Sequence, residues 1–243
     1  DGPGDIGQVQ RRHVGSLAAF VRPRSEGGFV VALEHGLALA DAEHSELRVM
    51  RPVLSDPGLR FHDGGCSPAG TLYGGTMAWD HTPDAGSLYR FGSSLESVDS
   101  VAGTTISNGL GFSPDGGLAY FADSATGRVD VFDNDGDHLL RRRPFAETGA
   151  NPDGLCVDAK GGVWVACHGA GQVRRFDTRG RLDAIVELPV SNITACTFGG
   201  ADLATLFITT TRQNVLAGEQ PEAGSVFAAT PGVRGLPVLP YTG

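Results

Sequence analysis

Short apolar segments that follow a glycine recur along the chain at nearly constant spacing. Four of them begin 42–47 residues apart, at Gly28, Gly70, Gly117 and Gly162, and a weaker copy begins at Leu206. A second segment of the form Gly-x-Val/Leu follows in each later unit, at Gly86, Gly127, Gly171 and Gly224. The segments of the first kind are short apolar runs bounded by glycine, and those of the second kind alternate with period two, so both predict β-strands. No stretch shows a 3.6-residue apolar period, so we expect almost no helix.

A repeat of this length that holds several short strands is typical of β-propeller blades. We therefore predict an all-β fold, a six-bladed β-propeller with an incomplete N-terminal blade, as a single domain over residues 1–243. Residues 1–14 are expected to be a remnant of that first blade, and five further blade units are expected from about residue 15 to residue 243. Neighbouring blades must stack, because one small sheet cannot bury both of its faces.

Composition and charge narrow the function. The 36 glycines and 14 prolines of the 243 residues suit many tight turns. No apolar run approaches the roughly 20 residues that cross a bilayer, and the net charge of −9 disfavours nucleic acid as a partner. The basic run Arg141–Arg143 is predicted to be a solvated turn. No signal peptide is visible, which favours a cytoplasmic protein, and we expect a monomer or weak dimer.

Several common kinds of functional site lack their motifs. The four cysteines (Cys66, Cys156, Cys167 and Cys196) form no CxxC pair and lie in apolar segments, where we expect them to pack as small hydrophobic residues. There is no Gly-x-Ser-x-Gly elbow for a serine nucleophile. The Gly-His and Trp-Asp pattern of protein-binding WD repeats is also missing. His168 and Trp164 are expected to be structural.

Polar residues recur at one position of the repeat. Asn108 and Asp153 each lie nine residues before a strand glycine, and we expect both to precede the innermost strand of a blade. His62 lies eight residues before another strand glycine. Equivalent positions of successive blades form a ring around the channel, so these side chains are candidate ligands. The first unit has apolar Ala19 and Phe20 at this position. Asn-Gly and Asp-Gly dipeptides are also common in turns, so a turn and a ligand role both remain open for Asn108 and Asp153.

Longer motifs carry a family resemblance. The runs Ile106–Gly116 and Asn151–Gly161 resemble two loops of the gluconolactonase/regucalcin/luciferin-regenerating-enzyme-like family. Tyr120–Ser124 and Cys196–Gly200 match it as well, and the resemblance extends from about residue 14 to the C-terminus. It implies a divalent cation in the propeller channel, held in the family by a Glu, an Asn and an Asp.

The resemblance also implies roles for individual residues. Asn108 and Asp153 match the metal-binding Asn and Asp, and Asp153 matches the proposed catalytic base. Arg60 matches a substrate-binding Arg, and Asp80 lies where an acidic substrate contact is expected. His62 replaces the family's Asn and is expected to contact either substrate or metal. As a metal ligand it would favour zinc or manganese over calcium.

The expected activity is metal-dependent hydrolysis of a sugar lactone, with one divalent ion (Ca, Zn, Mn or Mg) as cofactor. The metal would polarise the lactone carbonyl and activate a water molecule, and Asp153 would orient or deprotonate that water. Arg60, His62 and Asp80 would bind substrate hydroxyl groups. The partner is thus a small molecule, with no nucleic acid and no membrane.

One departure from the family supports an alternative function. The family's acidic ligand comes from an opening Gly-Glu-Gly-Pro-like segment, which the residues from Asp1 onward do not match, as if the sequence began one blade late. The alternative is a non-catalytic propeller that binds a metal or small ligand through a degraded site.

The acidic run Asp133–Asp137 lacks the spacing of an EF-hand and is predicted to be a turn.

Overall fold

A computed structural model describes residues 13–42, 46–136 and 138–243, which form five antiparallel sheets arranged in chain order. We number these sheets blades 1 to 5. Blade 1 contains β1 (Ala18–Pro23), β2 (Phe29–Leu33), β3 (Leu37–Ala40) and β4 (Arg48–Val49). Blade 2 contains β5 (Leu59–Cys66), β6 (Leu72–Ala78), β7 (Gly86–Phe91) and β8 (Ser97–Thr104). Blade 3 contains β9 (Ser107–Phe112), β10 (Leu118–Asp123), β11 (Arg128–Asn134) and β12 (Leu139–Glu147). Blade 4 contains β13 (Asn151–Val157), β14 (Val163–His168), β15 (Gln172–Phe176) and β16 (Leu182–Glu187), and blade 5 contains β17 (Ile193–Gly199), β18 (Thr205–Thr210) and β19 (Val226–Ala229).

The innermost strand is the first strand of each blade. The first strands of the blades are β1, β5, β9, β13 and β17, and each of the first four packs against the first strand of the next blade. They therefore line the channel of a β-propeller. The strands that follow the recurring glycines are second in their blades, so the expectation that Asn108 and Asp153 precede the innermost strand is wrong. Both residues lie within it.

The hydrophobic core lies between the blades. On β10, Tyr120 packs towards blade 4 while its neighbour Phe121 packs towards blade 2. On β14, Val163 contacts the blade 3 side and Trp164, which is 1% exposed, contacts blade 5. Successive side chains of a strand point to opposite faces, so these central strands bury both faces. This explains why their sequences are continuous apolar runs with little polar alternation.

The structure tests the predictions about elements. The all-β propeller is confirmed, and a single turn of 3-10 helix at Ser124–Thr126 is the only helix among the described residues. Those residues form five blades, and the predicted count of six is not confirmed. The predicted remnant at residues 1–14 lies mostly outside the described ranges. Nowhere in the described parts of the chain is there a helix with the length and hydrophobicity needed to cross a membrane.

Two predicted turns need correction. Arg141–Arg143 lies in the outer strand β12. There Arg142 forms an ion pair with the buried carboxylate of Asp130, and Arg143 forms one with Asp133. The acidic run begins as the end of β11 and becomes a turn only at Asp135, since Asp133 and Asn134 still pair with β12. Asp137 lies outside the described residues.

The C-terminal segment crosses the end of the channel that lies beyond the carboxyl ends of the inner strands. Gly235 forms a bridge to Asp158, after β13, and Thr242 donates its backbone N–H to Gly70, after β5. Tyr241 is 1% exposed and joins the core between blades 1 and 2. The segment therefore connects blades 1, 2 and 4 and leaves the opposite end of the channel for the candidate ligands.

Candidate functional site

A β-bulge occupies the same place in the innermost strand of every blade. Between two paired positions, each inner strand has one residue more than the second strand beside it. The first residues in these bulges are Ala19, His62, Asn108, Asp153 and Thr194, which we call the ring residues. A bulge re-aims a side chain away from the regular pleat and is common beside active sites.

The ring explains the register seen in the sequence. Asn108 and Asp153 share one structural position with His62 despite its spacing of eight, because all three open a bulge near the start of an inner strand. The Asn108-Gly109 and Asp153-Gly154 dipeptides are thus not turns. Thr194 in blade 5 was missed, because its strand lacks the Asx-Gly dipeptide that marks the other three.

Two glycines let adjacent inner strands approach within the ring. A Cβ atom on Gly109 would lie 2.3 Å from the backbone nitrogen of Leu155 and 2.9 Å from the carbonyl oxygen of Asp153. A Cβ atom on Gly154 would lie 2.6 Å from the Cβ of Ala195. All three distances are shorter than van der Waals contact, so only glycine fits at either position. The close approach places Asn108, Asp153 and Thr194 side by side around the channel.

The Asn108 side chain is held by one end. It is 5% exposed, and its amide nitrogen donates to Ser124 Oγ at 2.7 Å. Ser124 Oγ in turn donates to the carbonyl oxygen of Pro152 at 2.6 Å, beside Asp153. The amide oxygen Oδ1 accepts no hydrogen bond from any described residue. The relay thus fixes the orientation of Asn108 with its oxygen free.

Asp153 is a carboxylic acid without a positively charged partner in the described structure. Desolvation, followed by the negative charge of Asp63, raises its pKa to about 8, against a smaller opposing effect of the Gly154 backbone N–H. Asp63 lies on β5, with blade 3 between it and Asp153, so both carboxyl groups project towards the channel. A desolvated acid with a second acid nearby is a site that a bound cation would stabilise.

Asp63 is a channel residue that sequence reasoning missed. Its Asp-Gly dipeptide resembled a turn, but it lies in the bulge of β5, where Arg22 approaches its carboxylate at 3.7 Å. Burial raises the pKa of Asp63, while Arg22 and the backbone N–H of Gly64 oppose that rise. The sequence did contain a sign of this role. Asp63 directly follows His62, at the position that Gly109 and Gly154 occupy after Asn108 and Asp153.

Arg60 and His62 form a pair at the mouth of the channel. Arg60 Nη1 donates to the carbonyl oxygen of Phe61 at 3.2 Å and lies 2.9 Å from His62 Nδ1. The guanidinium group stacks 4.6 Å from the ring centre of Trp79, a cation–π contact. Burial lowers the pKa of Arg60, although the charge of Glu34 opposes this. Its Nε is buried and has no hydrogen-bond partner in the described structure.

The contact with Arg60 determines what His62 can do. A guanidinium group only donates, so Nδ1 must be the acceptor and Nε2 must carry the proton of the neutral ring. Desolvation, Arg60 and His81 together lower the pKa of His62 to about 4, which keeps the ring neutral. In this arrangement His62 presents an N–H donor, which suits a substrate oxygen, and it offers no nitrogen lone pair to zinc or manganese.

Two other residues lie near the mouth without joining the ring. Asp80 is exposed, and its carboxylate accepts hydrogen bonds from the backbone N–H and hydroxyl of Thr82 at 3.0 and 2.7 Å. It forms no hydrogen bond or ion pair with Arg60 or His62. His168 ends β14 beside the start of β13, and desolvation lowers its pKa.

A cavity of about 630 Å³ lies on the other side of the ring. The residues that follow three ring members, Asp63, Gly154 and Ala195, contribute to its wall, and Leu236–Leu239 of the C-terminal segment close it. Most of its lining is apolar, including Leu110. The ring thus separates a polar mouth from an apolar interior.

The donor set of the ring fits a hard divalent cation. Asn108 Oδ1 and the Asp153 carboxylate are oxygen ligands, which calcium, magnesium and manganese prefer. Neither has an ion-pair partner among the described residues, and desolvation together with the charge of Asp63 raises the pKa of the Asp153 carboxyl group. Among the residues that the structure describes, no group of three or more His, Cys, Asp and Glu is placed to hold a metal.

Comparison with known proteins identifies the family. The family model of the SMP-30/Gluconolactonase/LRE-like region matches residues 6–212. The chain belongs to this family. Regucalcin from Danio rerio is 36% identical over 248 residues, which span 97% of this chain and 84% of the relative. Regucalcin from Bos taurus is 35% identical, with the same coverage of both chains.

Solved structures of family members have the same architecture. A calcium-binding protein, regucalcin, from Agrobacterium tumefaciens superimposes with a TM-score of 0.85 at 30% identity and covers 91% of this chain, which spans 78% of that one. A luciferin-regenerating enzyme superimposes with a TM-score of 0.83 at 28% identity, with coverage of 94% and 83%. The resemblance inferred from the sequence motifs is therefore confirmed.

Proposed function

We propose that the ring is the active site of a metal-dependent hydrolase that opens a sugar lactone. The observation that carries this proposal is the pairing of Asn108 and Asp153 at one ring position of adjacent blades, with a free amide oxygen next to a carboxyl group that has no counter-charge. Membership of a family that includes gluconolactonases supports the reaction class.

Asn108 and Asp153 would hold the cation through their side-chain oxygens. When bound, a divalent cation supplies Lewis-acid chemistry, polarising a carbonyl group and lowering the pKa of a water molecule. Calcium, magnesium and manganese suit these ligands better than zinc does, because His62 presents its N–H and leaves only oxygen donors.

Asp153 would be the general base. Its raised pKa, near 8, means that the carboxyl group holds a proton at neutral pH in the cation-free protein. An adjacent positive charge favours the ionised form, which can then orient a water molecule and accept its proton. The neighbouring charge of Asp63 increases the basicity of that carboxylate.

Arg60 and His62 would bind substrate oxygens at the mouth. The unpartnered Nε of Arg60 and the Nε2–H of His62 are both donors, and Trp79 keeps the guanidinium plane in place. Asp80 remains a predicted substrate contact that would require its carboxylate to turn away from Thr82. Donors of this kind suit the hydroxyl and carbonyl oxygens of a sugar lactone.

Ligand binding without turnover is the second candidate function. The proton that Asp153 holds at neutral pH favours it, because a protonated acid is not a base until a cation binds. In that case the site would bind a cation and catalyse no reaction. Turnover measurements separate the two candidates.

The test is lactone hydrolysis followed by base consumption at constant pH. We expect activity with glucono-δ-lactone that disappears with chelator and returns with calcium, magnesium or manganese. Asp153→Asn keeps the shape of the side chain but removes the base, and should lower kcat/KM by about 100-fold or more. Asp115→Asn is the matched control, because Asp115 is an exposed turn residue bonded to Ser113.

Two results would decide against hydrolysis. Equal metal-dependent rates for the wild type and Asp153→Asn would remove Asp153 from the reaction. Stoichiometric cation binding by calorimetry, without turnover of any lactone, would leave the binding function.

A further inference from the structure

We propose that Thr194 is a substrate-binding residue whose hydroxyl group binds a hydroxyl oxygen of the lactone ring, on the side of Asp153 away from Asn108. The inference rests on the proposed function and assigns a new residue to that site.

The position of Thr194 in the ring is the first step. It is the extra residue of β17 between Ile193, which pairs with Thr210, and Ala195, which pairs with Thr209. Thr194 therefore occupies the same structural position as Asp153 in the preceding blade. Four consecutive ring residues, in blades 2 to 5, are polar, and Thr194 is the last of them.

The distance between the two blades is the second step. A Cβ atom on Gly154 would lie 2.8 Å from the Cα of Ala195 and 3.0 Å from the carbonyl oxygen of Thr194. The two inner strands are therefore in direct backbone contact at the ring. A ligand that reaches the Asp153 carboxyl group lies within reach of the next ring side chain.

The hydrogen bonding of Thr194 is the third step. Its hydroxyl lies 2.8 Å from the hydroxyl of Thr209 on the adjacent strand, and no other side-chain hydrogen bond of either group is found among the described residues. A hydroxyl group can donate once and accept twice. One shared bond thus orients the Thr194 hydroxyl and leaves further capacity for a ligand, in a side chain that is half-buried.

The chemistry of the neighbours indicates the kind of atom bound. Asn108 and Asp153 provide the oxygens for the cation, while Arg60 and His62 are donors on the far side of Asn108. Thr194 is the uncharged member, able to donate to and accept from a substrate hydroxyl group. A site that hydrogen-bonds a hydroxyl discriminates strongly against a substrate that lacks it.

The experiment compares two lactones and three variants in the presence of the activating cation. Thr194→Val removes the hydroxyl at constant shape, and Thr194→Ser retains it. Thr197→Val is the control, since Thr197 lies on the same strand outside the bulge and faces the cavity on the other side of the ring. For glucono-δ-lactone we expect Thr194→Val to raise KM by about 10-fold, with kcat changed by less than about 3-fold. Thr194→Ser and Thr197→Val should stay within about 2-fold of the wild type. For δ-valerolactone, which has no ring hydroxyls, Thr194→Val should have no effect.

The possible results separate this inference from the proposed function. An equal loss for both lactones in Thr194→Val, or no loss for either, would overturn the role of Thr194 while hydrolysis stands. If the wild type hydrolyses neither lactone, the proposed function fails, and calcium-dependent binding of gluconate by calorimetry replaces turnover. Weaker gluconate binding by Thr194→Val than by Thr194→Ser would then support the inference, and equal or undetectable binding would overturn it.

Discussion

At the scale of single residues, one backbone position performs different chemistry in each blade. The bulge places Ala19, His62, Asn108, Asp153 and Thr194 in equivalent positions. The side chain alone decides whether that position supplies a methyl group, an N–H donor, an amide oxygen, an acid or a hydroxyl. Asn108 acts as a ligand candidate only because Ser124 holds its amide nitrogen, which leaves the oxygen towards the channel.

The protonation state of His62 is a test at this scale. Burial, Arg60 and His81 lower its pKa to about 4, so we expect its ring to stay neutral from pH 8 down to about pH 5. The chemical shifts of its ring nitrogens, assigned with His62→Asn, should be constant over that range. A titration with its midpoint near 6.5 would contradict the Arg60 contact.

The same shift has a consequence for stability. The folded pKa of His62 lies below its unfolded value of 6.5, so the native state prefers the neutral ring. Its contribution is complete above pH 6.5 and is lost as the pH falls towards about 4, because the unfolded chain then binds the proton more readily. His62→Asn should show a smaller loss of stability than the wild type between pH 6.5 and pH 4, measured by urea unfolding.

At the scale of elements, the bulge and the glycine after it determine the width of the site. Gly109→Ala would place a methyl group 2.3 Å from the backbone nitrogen of Leu155 and force β9 and β13 apart. We expect a loss of stability of about 2 kcal/mol, since overpacking of this kind costs roughly 1–3 kcal/mol. Cation affinity should fall as well, because Asn108 moves away from Asp153.

The matched control is Gly117→Ala. A Cβ atom there would come no nearer than 3.6 Å to another atom, that atom being Asp115 Oδ1. The variant should keep the stability and cation affinity of the wild type. Equal behaviour of the two variants in calorimetry and urea unfolding would show that the close approach of β9 and β13 is not required.

The strands and their repeat could be predicted from the sequence because they depend on local patterns. The recurring glycines and the short apolar runs after them predicted β10 and β14, and the shared register of Asn108 and Asp153 reflects equivalent blade positions. The bulges could not be predicted, because Asp-Gly and Asn-Gly have the same local preferences in a turn and in a bulge. Thr194 depends on a tertiary contact with Thr209 that no sequence spacing shows.

At the scale of the whole molecule, the blades are joined by core residues and by the C-terminal segment. The hydroxyl of Tyr241 donates to the carbonyl oxygens of Gly92 at 2.9 Å and Ser93 at 2.7 Å in blade 2. Tyr241 is 1% exposed, so Tyr241→Phe removes the hydrogen bonding of a buried hydroxyl group. We expect a loss of about 1–2 kcal/mol in the free energy of unfolding.

The control for this prediction is Tyr89→Phe. Tyr89 packs in the same region, and its hydroxyl makes no hydrogen bond within the described structure. Its removal should change the stability by less than about 0.5 kcal/mol. If both variants unfold at the same urea concentration as the wild type, the C-terminal segment is not held by this contact.

The central claim is that the ring holds a divalent cation between blades 3 and 4. Anomalous diffraction from crystals grown with manganese tests it most directly. The account predicts one strong anomalous peak, at a position where the ion is bonded to Asn108 Oδ1 and to the Asp153 carboxylate. Crystals of Asp153→Asn should show no peak there. The contradicting result has two parts. Manganese supports activity, yet the crystals show the manganese ion bound elsewhere and no density between Asn108 and Asp153.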